Sequence, residues 1–391
     1  MIATDRPRLV HVTTTDISLE LLLGPQLSAF VAAGYEVFGL SAPGPFVERI
    51  EARGVTHLPL ANATRAMAPH RDLLALGELR STFRRLRPTI VHTHNPKPGV
   101  YGRLAARAAR VPVVVNTVHG LYALPGDRLR KRAVVYGLER IAATCSDAEL
   151  VQNPEDLDTL RHVLRIPASR LVLLGNGIDL NRFGAGPDDA DRRAGARAAL
   201  GIDDDAVVVG AVGRLVAEKG YPELFEAWRT VRTRHPRAVL VVAGPDDADK
   251  ADALDRATVA AATEDGVRFL GMRDDVEELY RAFDLYVLAS HREGFPRSAM
   301  EAAAAGLPIV ATDIRGCRQV VDDGVTGILV PPRAARELAG ALDGLLADDD
   351  RRRAMSVAAA ARAVAEFDQE RVISTTLTTY DRLLRATGTR G

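Results

Sequence analysis

His291-Arg-Glu-Gly-Phe-Pro-Arg-Ser-Ala-Met-Glu-Ala-Ala-Ala-Ala-Gly-Leu-Pro308 decides how this chain reads. An apolar run, Leu285-Tyr-Val-Leu-Ala-Ser290, precedes it, and a second, Pro308-Ile-Val-Ala-Thr312, follows. Strand, loop, small-residue helix and strand make a unit of a parallel sheet, and ligands bind at the carboxyl ends of such strands. The loop carries one carboxylate, Glu293, and a second, Glu301, falls eight residues on, near the first helical turn. Gly294 lets backbone approach a ligand, and Ser298 reads as the helix N-cap. The free N–H groups near Phe295 to Ser298, around Pro296-Arg297, mark a helix start suited to phosphate or hydroxyl oxygens. Carboxylates accept hydrogen bonds from vicinal hydroxyls, so two of them around an anion site suit a nucleotide sugar. Glu301 alone reads equally well as a residue favoured by the helix dipole.

Outward from this unit, strands and helices alternate along nearly the whole chain, as in parallel sheets covered on both faces. Arg8–Thr13, Glu36–Leu40, His57–Leu60, Thr89–His94, Val111–Val118, Leu150–Gln152 and Leu171–Leu174 read as strands of a first set. A second set starts at Ala206–Gly213. Gly, Pro and Asp cluster between Asn176 and Ala190. We therefore expect an α/β protein of two Rossmann-like domains, 1–185 and 186–369, with an amphipathic helix in 370–391.

At 391 residues the chain is too long for one ordinary core. It has no apolar run long enough to span a membrane and no signal-peptide pattern at its start, so a cytoplasmic location is expected. Two cysteines, Cys145 and Cys317, fit packing better than chemistry. Net charge is zero, but residues 1–185 hold 23 Lys and Arg against 16 Asp and Glu. That bias suggests an anionic partner such as a membrane surface, approached through Arg128–Arg132 or through the helix bearing Arg80, Arg84 and Arg85. A solvated arginine face is an equally good account. Nucleic acid is not expected, because aromatics do not interleave the basic residues.

Arg214 and Lys219 follow the first strand of the second set, and the chain has only four lysines. A planar fork and a reaching point charge at one strand end suit a diphosphate. Gly244, at the end of the next strand, lines the pyrophosphate or forms an ordinary Ala-Gly-Pro turn. His119 ends an apolar strand beside Gly120. His92-Thr-His94-Asn95-Pro-Lys97 ends another, with Asn95 and Lys97 as donors to an acceptor. Two histidines at i and i+2 share one face of a strand, but no third ligand cluster appears in the sequence, so no metal is expected.

Glu293 and Glu301 resemble the E-x7-E motif of family 4 retaining glycosyltransferases of GT-B fold. The segments Glu301–Asp313 and Ile314–Val321 also resemble members that extend lipid-linked oligosaccharides. The resemblance implies two Rossmann-like domains facing across a cleft, with the C-terminal helix returning to the first. It implies a donor site of Arg214, Lys219, Gly244, Met272, Arg273 and Glu293 to Glu301, with Met272 and Arg273 near the nucleobase. It makes His119 a contact to the transferred sugar or acceptor, not a general base. Donor and acceptor are implied as a nucleotide sugar, most commonly of uridine, and a saccharide or lipid-linked hydroxyl; no cofactor is implied. One departure is plain: many members have Gly-Gly after the first strand, where this chain has Thr13-Thr14-Thr15-Asp16. Alternatives are a sugar-nucleotide epimerase or hydrolase, a natural-product glycosyltransferase, or a non-catalytic binding subunit.

Overall fold

The structure is a computed structural model that describes residues 6–64, 68–94, 97–123, 126–184, 189–247 and 250–388. The chain divides into two units, Met1–Gly175 with Glu370–Gly391, and Asn176–Gln369.

The first unit holds seven parallel strands, β1 (Arg8–Thr15), β2 (Glu36–Ala42), β3 (Thr56–Pro59), β4 (Ile90–His94), β5 (Val113–Val118), β6 (Ala148–Val151) and β7 (Leu171–Leu173). Their order is β3-β2-β1-β4-β5-β6-β7. The second holds six, β8 (Val208–Val212), β9 (Val239–Ala243), β10 (Val267–Phe269), β11 (Leu285–Leu288), β12 (Ile309–Thr312) and β13 (Gly327–Val330), ordered β10-β9-β8-β11-β12-β13. Both are doubly wound. In each, the chain steps outward one way from its first strand, then crosses back to build the other side. That crossover sets β4 beside β1 and β11 beside β8.

Side-chain alternation explains the apolar runs. Tyr286 and Leu288 enter the core on one face of the second sheet, while Leu285 and Val287 enter the core on the other. In the first sheet Leu9, Ile90, Val113 and Val115 face one core, and Val10, Val12, Val91 and Val114 the opposite one. The helix Gln369–Ala386 lays Val372, Ile373, Tyr380 and Leu384 into the first of these.

The boundary expected at residue 185 falls ten residues earlier, after Gly175. Asn176–Asp179 already belongs to the second unit, because Ile178 N–H donates to Phe367 O and Gln369 N–H returns to Ile178 O. Backbone pairing, not the Gly/Pro/Asp composition, marks the edge. Residues 185–188 of that stretch lie outside the described residues.

One ionic cluster is buried in the first unit. The Arg103 guanidinium is fully buried, 2.6 Å from Glu149 and 2.7 Å from Glu139. Asn116 and Ser146 donate to the Glu149 carboxylate, so its oxygens are satisfied. Removing the cation strands two carboxylates. Arg103→Met is therefore expected to cost about 3–5 kcal/mol in urea denaturation; a loss under about 1 kcal/mol contradicts this account.

Candidate functional site

In the second unit the loops after β8 and β11 are locked together. Gly220 has φ +72° and lies so close to β11's end that a Cβ there would meet Ala289 O at 1.9 Å. Only glycine adopts that backbone and that approach without strain. His291 N–H donates to Glu218 O at 2.8 Å, closing the two loops. The result places Lys219 Nζ 2.5 Å from Glu293 Oε1. Ser290 Oγ donates to the same oxygen at 2.8 Å. Gly316 presses on the Glu293 backbone, where a Cβ would fall 2.7 Å from its carbonyl oxygen. Glu293 is thus held from three sides.

Arg214 pairs with Asp247, from the loop after β9. Gly244 has φ +153° and packs on Gly213, and its N–H donates to Gly271 O. The ends of β8, β9 and β10 are therefore tied in a row. Met272 is half-exposed in the loop after β10, and Arg273 is clamped by Asp275 at 2.7 and 2.6 Å.

The helix after β11 runs Arg297–Ala304, with Pro296 at its cap and no side-chain cap bond. Ser298 is not the N-cap: it is already helical, and its carbonyl accepts from Tyr280 OH at 3.1 Å. Glu301 falls past the first turn, which removes the dipole explanation for it. Tyr280 OH donates to Glu301 Oε2 at 3.0 Å, and Arg297 Nε stands 3.8 Å from Oε1. Burial pushes the Glu301 carboxyl above its usual range, against lowering by Arg297 and by the Tyr280 hydrogen bond. Phe295 O accepts from Asn176 Nδ2, Pro296 is buried, and Gly294 remains half-buried in the turn. Cys317 is buried, and burial pushes its thiol up.

In the first unit Lys97 is held by Asp72 at 2.6 Å and by Thr64 O at 3.0 Å, inside the fold rather than beyond it. Asn95 lies outside the described residues. His119 is half-buried past the end of β5 and continues inward as a group of imidazoles. The expectation that His92 and His94 lack a third histidine fails: β1 sets His11 in register beside His92. Nitrogens of His11, His92 and His94 lie within 4.8 Å of one another. Sequence reading found the i, i+2 pair and missed His11, because the β1–β4 neighbourhood comes from the crossover. Asp247, Ser290 and Tyr280 were also missed. Ser290 was the readable one, three residues before Glu293 at the strand's end.

Two doubly wound units, the second with facing cation and carboxylate at its switch point, define a GT-B protein. The chain matches the glycosyl transferases group 1 family over residues 193–362 and Glycosyltransferase Family 4 over residues 26–182. It is 31% identical over 372 residues to D-inositol 3-phosphate glycosyltransferase of Salinispora tropica, covering 88% of this chain and 76% of that one. It is 30% identical over 263 residues to UDP-Gal:alpha-D-GlcNAc-diphosphoundecaprenol alpha-1,3-galactosyltransferase of Escherichia coli, covering 66% and 67%. Anabaena HepE in complex with UDP superposes with TM-score 0.77 at 21% identity, over 96% of this chain and 99% of that one, a likeness of fold. The chain belongs to the family 4 glycosyltransferases.

Burial holds His11 down to about 3 and His119 down to about 4, the latter against a raising hydrogen bond with Gln152. Burial, with repulsion from neighbouring imidazoles, holds His92 and His94 well below the usual range. All four are neutral at pH 7. Unfolded, each takes a proton near its ordinary value, so below that value the unfolded state binds more protons. Their stabilisation is complete above about pH 6.5 and declines as pH falls toward the folded values, by about 1.4 kcal/mol per pH unit for each histidine. Urea denaturation at about pH 7 and about pH 5 checks this, with a shallower dependence expected for His11→Phe; equal stability at both values contradicts it.

Proposed function

We propose that this enzyme transfers a sugar from a UDP-sugar to a hydroxyl of a saccharide or lipid-linked acceptor, with retention at the anomeric carbon. The observation that carries the reading is the Lys219–Glu293 pair, on loops from adjacent strands β8 and β11. The uridine donor is supported by the UDP named with the Anabaena structure and the UDP-galactose named for the E. coli relative. The lipid-linked acceptor is supported by the diphosphoundecaprenol in that same relative's name.

In this reading Lys219 and Arg214 grip the diphosphate, leaving Glu293 and Asp247 to do so. As the sugar–oxygen bond lengthens, negative charge builds on the leaving phosphate, and the two cations stabilise it. Glu293, freed from Lys219 but still held by Ser290, orients the sugar hydroxyls, and Glu301 takes the ribose. The N–H groups of Phe295, Arg297 and Ser298 add donors at the helix start. His119 contacts the sugar or acceptor. The leaving phosphate helps deprotonate the acceptor hydroxyl on the same face, which preserves configuration. With two cations neutralising the diphosphate, transfer proceeds without a metal.

Lys219→Ala is expected to lower kcat/KM by about 10²–10³, the scale of one transition-state donor. The assay is UDP release from UDP-glucose, UDP-galactose and UDP-N-acetylglucosamine over an acceptor panel, with circular dichroism reporting folding. Near-normal turnover of the variant refutes the site. Rapid sugar release without acceptor points instead to a hydrolase or epimerase.

We also infer docking at an anionic membrane face. The helix Leu129–Ala143 exposes Val134, Leu138 and Ile141 along one side, at 62%, 47% and 58%, beside exposed Arg128, Arg130 and Arg140. Apolar side chains flanked by arginines suit the headgroup boundary of anionic lipid. No helix among the described residues is long and apolar enough to cross a membrane. Val134→Glu with Leu138→Glu is expected to abolish cosedimentation with phosphatidylglycerol vesicles while leaving UDP release with a soluble acceptor intact. Equal sedimentation of the variant overturns the docking surface.

A further inference from the structure

The loop after β9 wraps the segment that carries Arg214. Leu215 N–H donates to Pro245 O, and Leu254 N–H donates to Leu215 O, each at 3.0 Å, so both ends of the loop close on one residue. Ala217 N–H donates to Asp252 O at 2.7 Å, and Glu218 N–H donates to Asp252 Oδ2 at 3.1 Å. Asp252 therefore serves backbone. Asp247, on the same loop, serves a side chain: its Oδ2 accepts from Arg214 Nη1. The Arg214 side chain is 38% exposed and that of Asp247 12%, so the guanidinium stays open to a solute while the carboxylate is largely covered.

Both cations assigned to the diphosphate thus carry a carboxylate, Asp247 on Arg214 and Glu293 on Lys219. Two cations and two carboxylates leave the group with no net charge. The two carboxylates differ in what they keep. Glu293 Oε1 also accepts from Ser290 Oγ, a donor that stays with it when Lys219 turns to a phosphate. Asp247 stands on a loop tied at both ends, so it remains close to whatever Arg214 grips. Carboxylate and phosphate oxygens seek the same guanidinium donors, and like charges at that range repel.

We propose that Asp247 is an internal competitor for Arg214, which the donor diphosphate must displace and which takes Arg214 back as UDP leaves. It lowers the affinity of the site for phosphate charge and so favours release of the product. Its effect grows with the charge of the ligand, because the repulsion acts on the phosphates and not on the base. This inference rests on the assignment of Arg214 to the diphosphate under Proposed function.

Calorimetric titration of the full-length protein with UDP and UMP tests it, with circular dichroism reporting folding. Asp247→Asn keeps the shape and removes the charge, and is expected to tighten UDP by about threefold to tenfold. Asp247→Ala, which leaves no oxygen for Arg214, should move UDP in the same direction. The gain should be smaller for UMP, and the product-inhibition constant of UDP should fall with its Kd. Asp246→Asn removes an equal charge from the exposed neighbouring position and should shift UDP by less than about twofold. Unchanged or weaker UDP binding in both Asp247 variants makes the carboxylate a prop for Arg214 and overturns the proposal. Equal gains for UMP and UDP, or an equal gain from Asp246→Asn, overturn it too. Arg214→Ala tests the reading underneath: UDP weakened by about tenfold or more keeps Arg214 on the diphosphate. Wild-type UDP affinity in that variant removes the donor assignment and the competitor with it.

Discussion

The pairing of Lys219 with Glu293 depends on one close approach of backbone to backbone. Gly220 sits against the carbonyl of Ala289 with a positive φ, and nothing larger fits. That contact draws the loop after β8 onto the end of β11 and puts an ammonium against a carboxylate 74 positions away in sequence. Tyr221, next in the chain, donates to Gly213 O and pins the same loop from behind. A doubly wound sheet makes the approach possible, because its winding reverses between these two strands.

Around that contact the carboxylates have separate settings. Glu293 lies half-buried between two donors, Lys219 and Ser290. Glu301 lies under Tyr280, where burial raises its carboxyl and the tyrosine hydroxyl offsets part of the cost. Arg214 is held in place by Asp247, whose loop is tied to its neighbours through Gly244.

The first unit solves a different problem. Four histidines stand on or just past one face of a parallel sheet, where a charged imidazole would be costly. Each is kept neutral by burial, and most of the ring nitrogens meet one another, Thr117 or Tyr380 from the returning C-terminal helix, while His11 Nε2 meets no partner among the described residues. The helix therefore does more than cover an apolar surface. It supplies the hydroxyl that meets His92 inside the first unit.

Local pattern alone was enough for the class of fold and for which acidic and basic residues stand at the strand ends. Hydrophobic runs and their spacing are properties of neighbouring residues, and a glycine or carboxylate just past a buried strand is visible without coordinates. What needed the tertiary structure was every pairing across the sheet. Asp247 for Arg214, Tyr280 for Glu301 and His11 for His94 join residues that the crossover connections bring together, and a one-dimensional pattern holds no record of strand order. The domain edge escaped for the same reason: a backbone bridge between Ile178 and Asp368 placed it, not composition. Sequence thus determined which side chains are available at each strand's end, and the order of strands decided which of them meet.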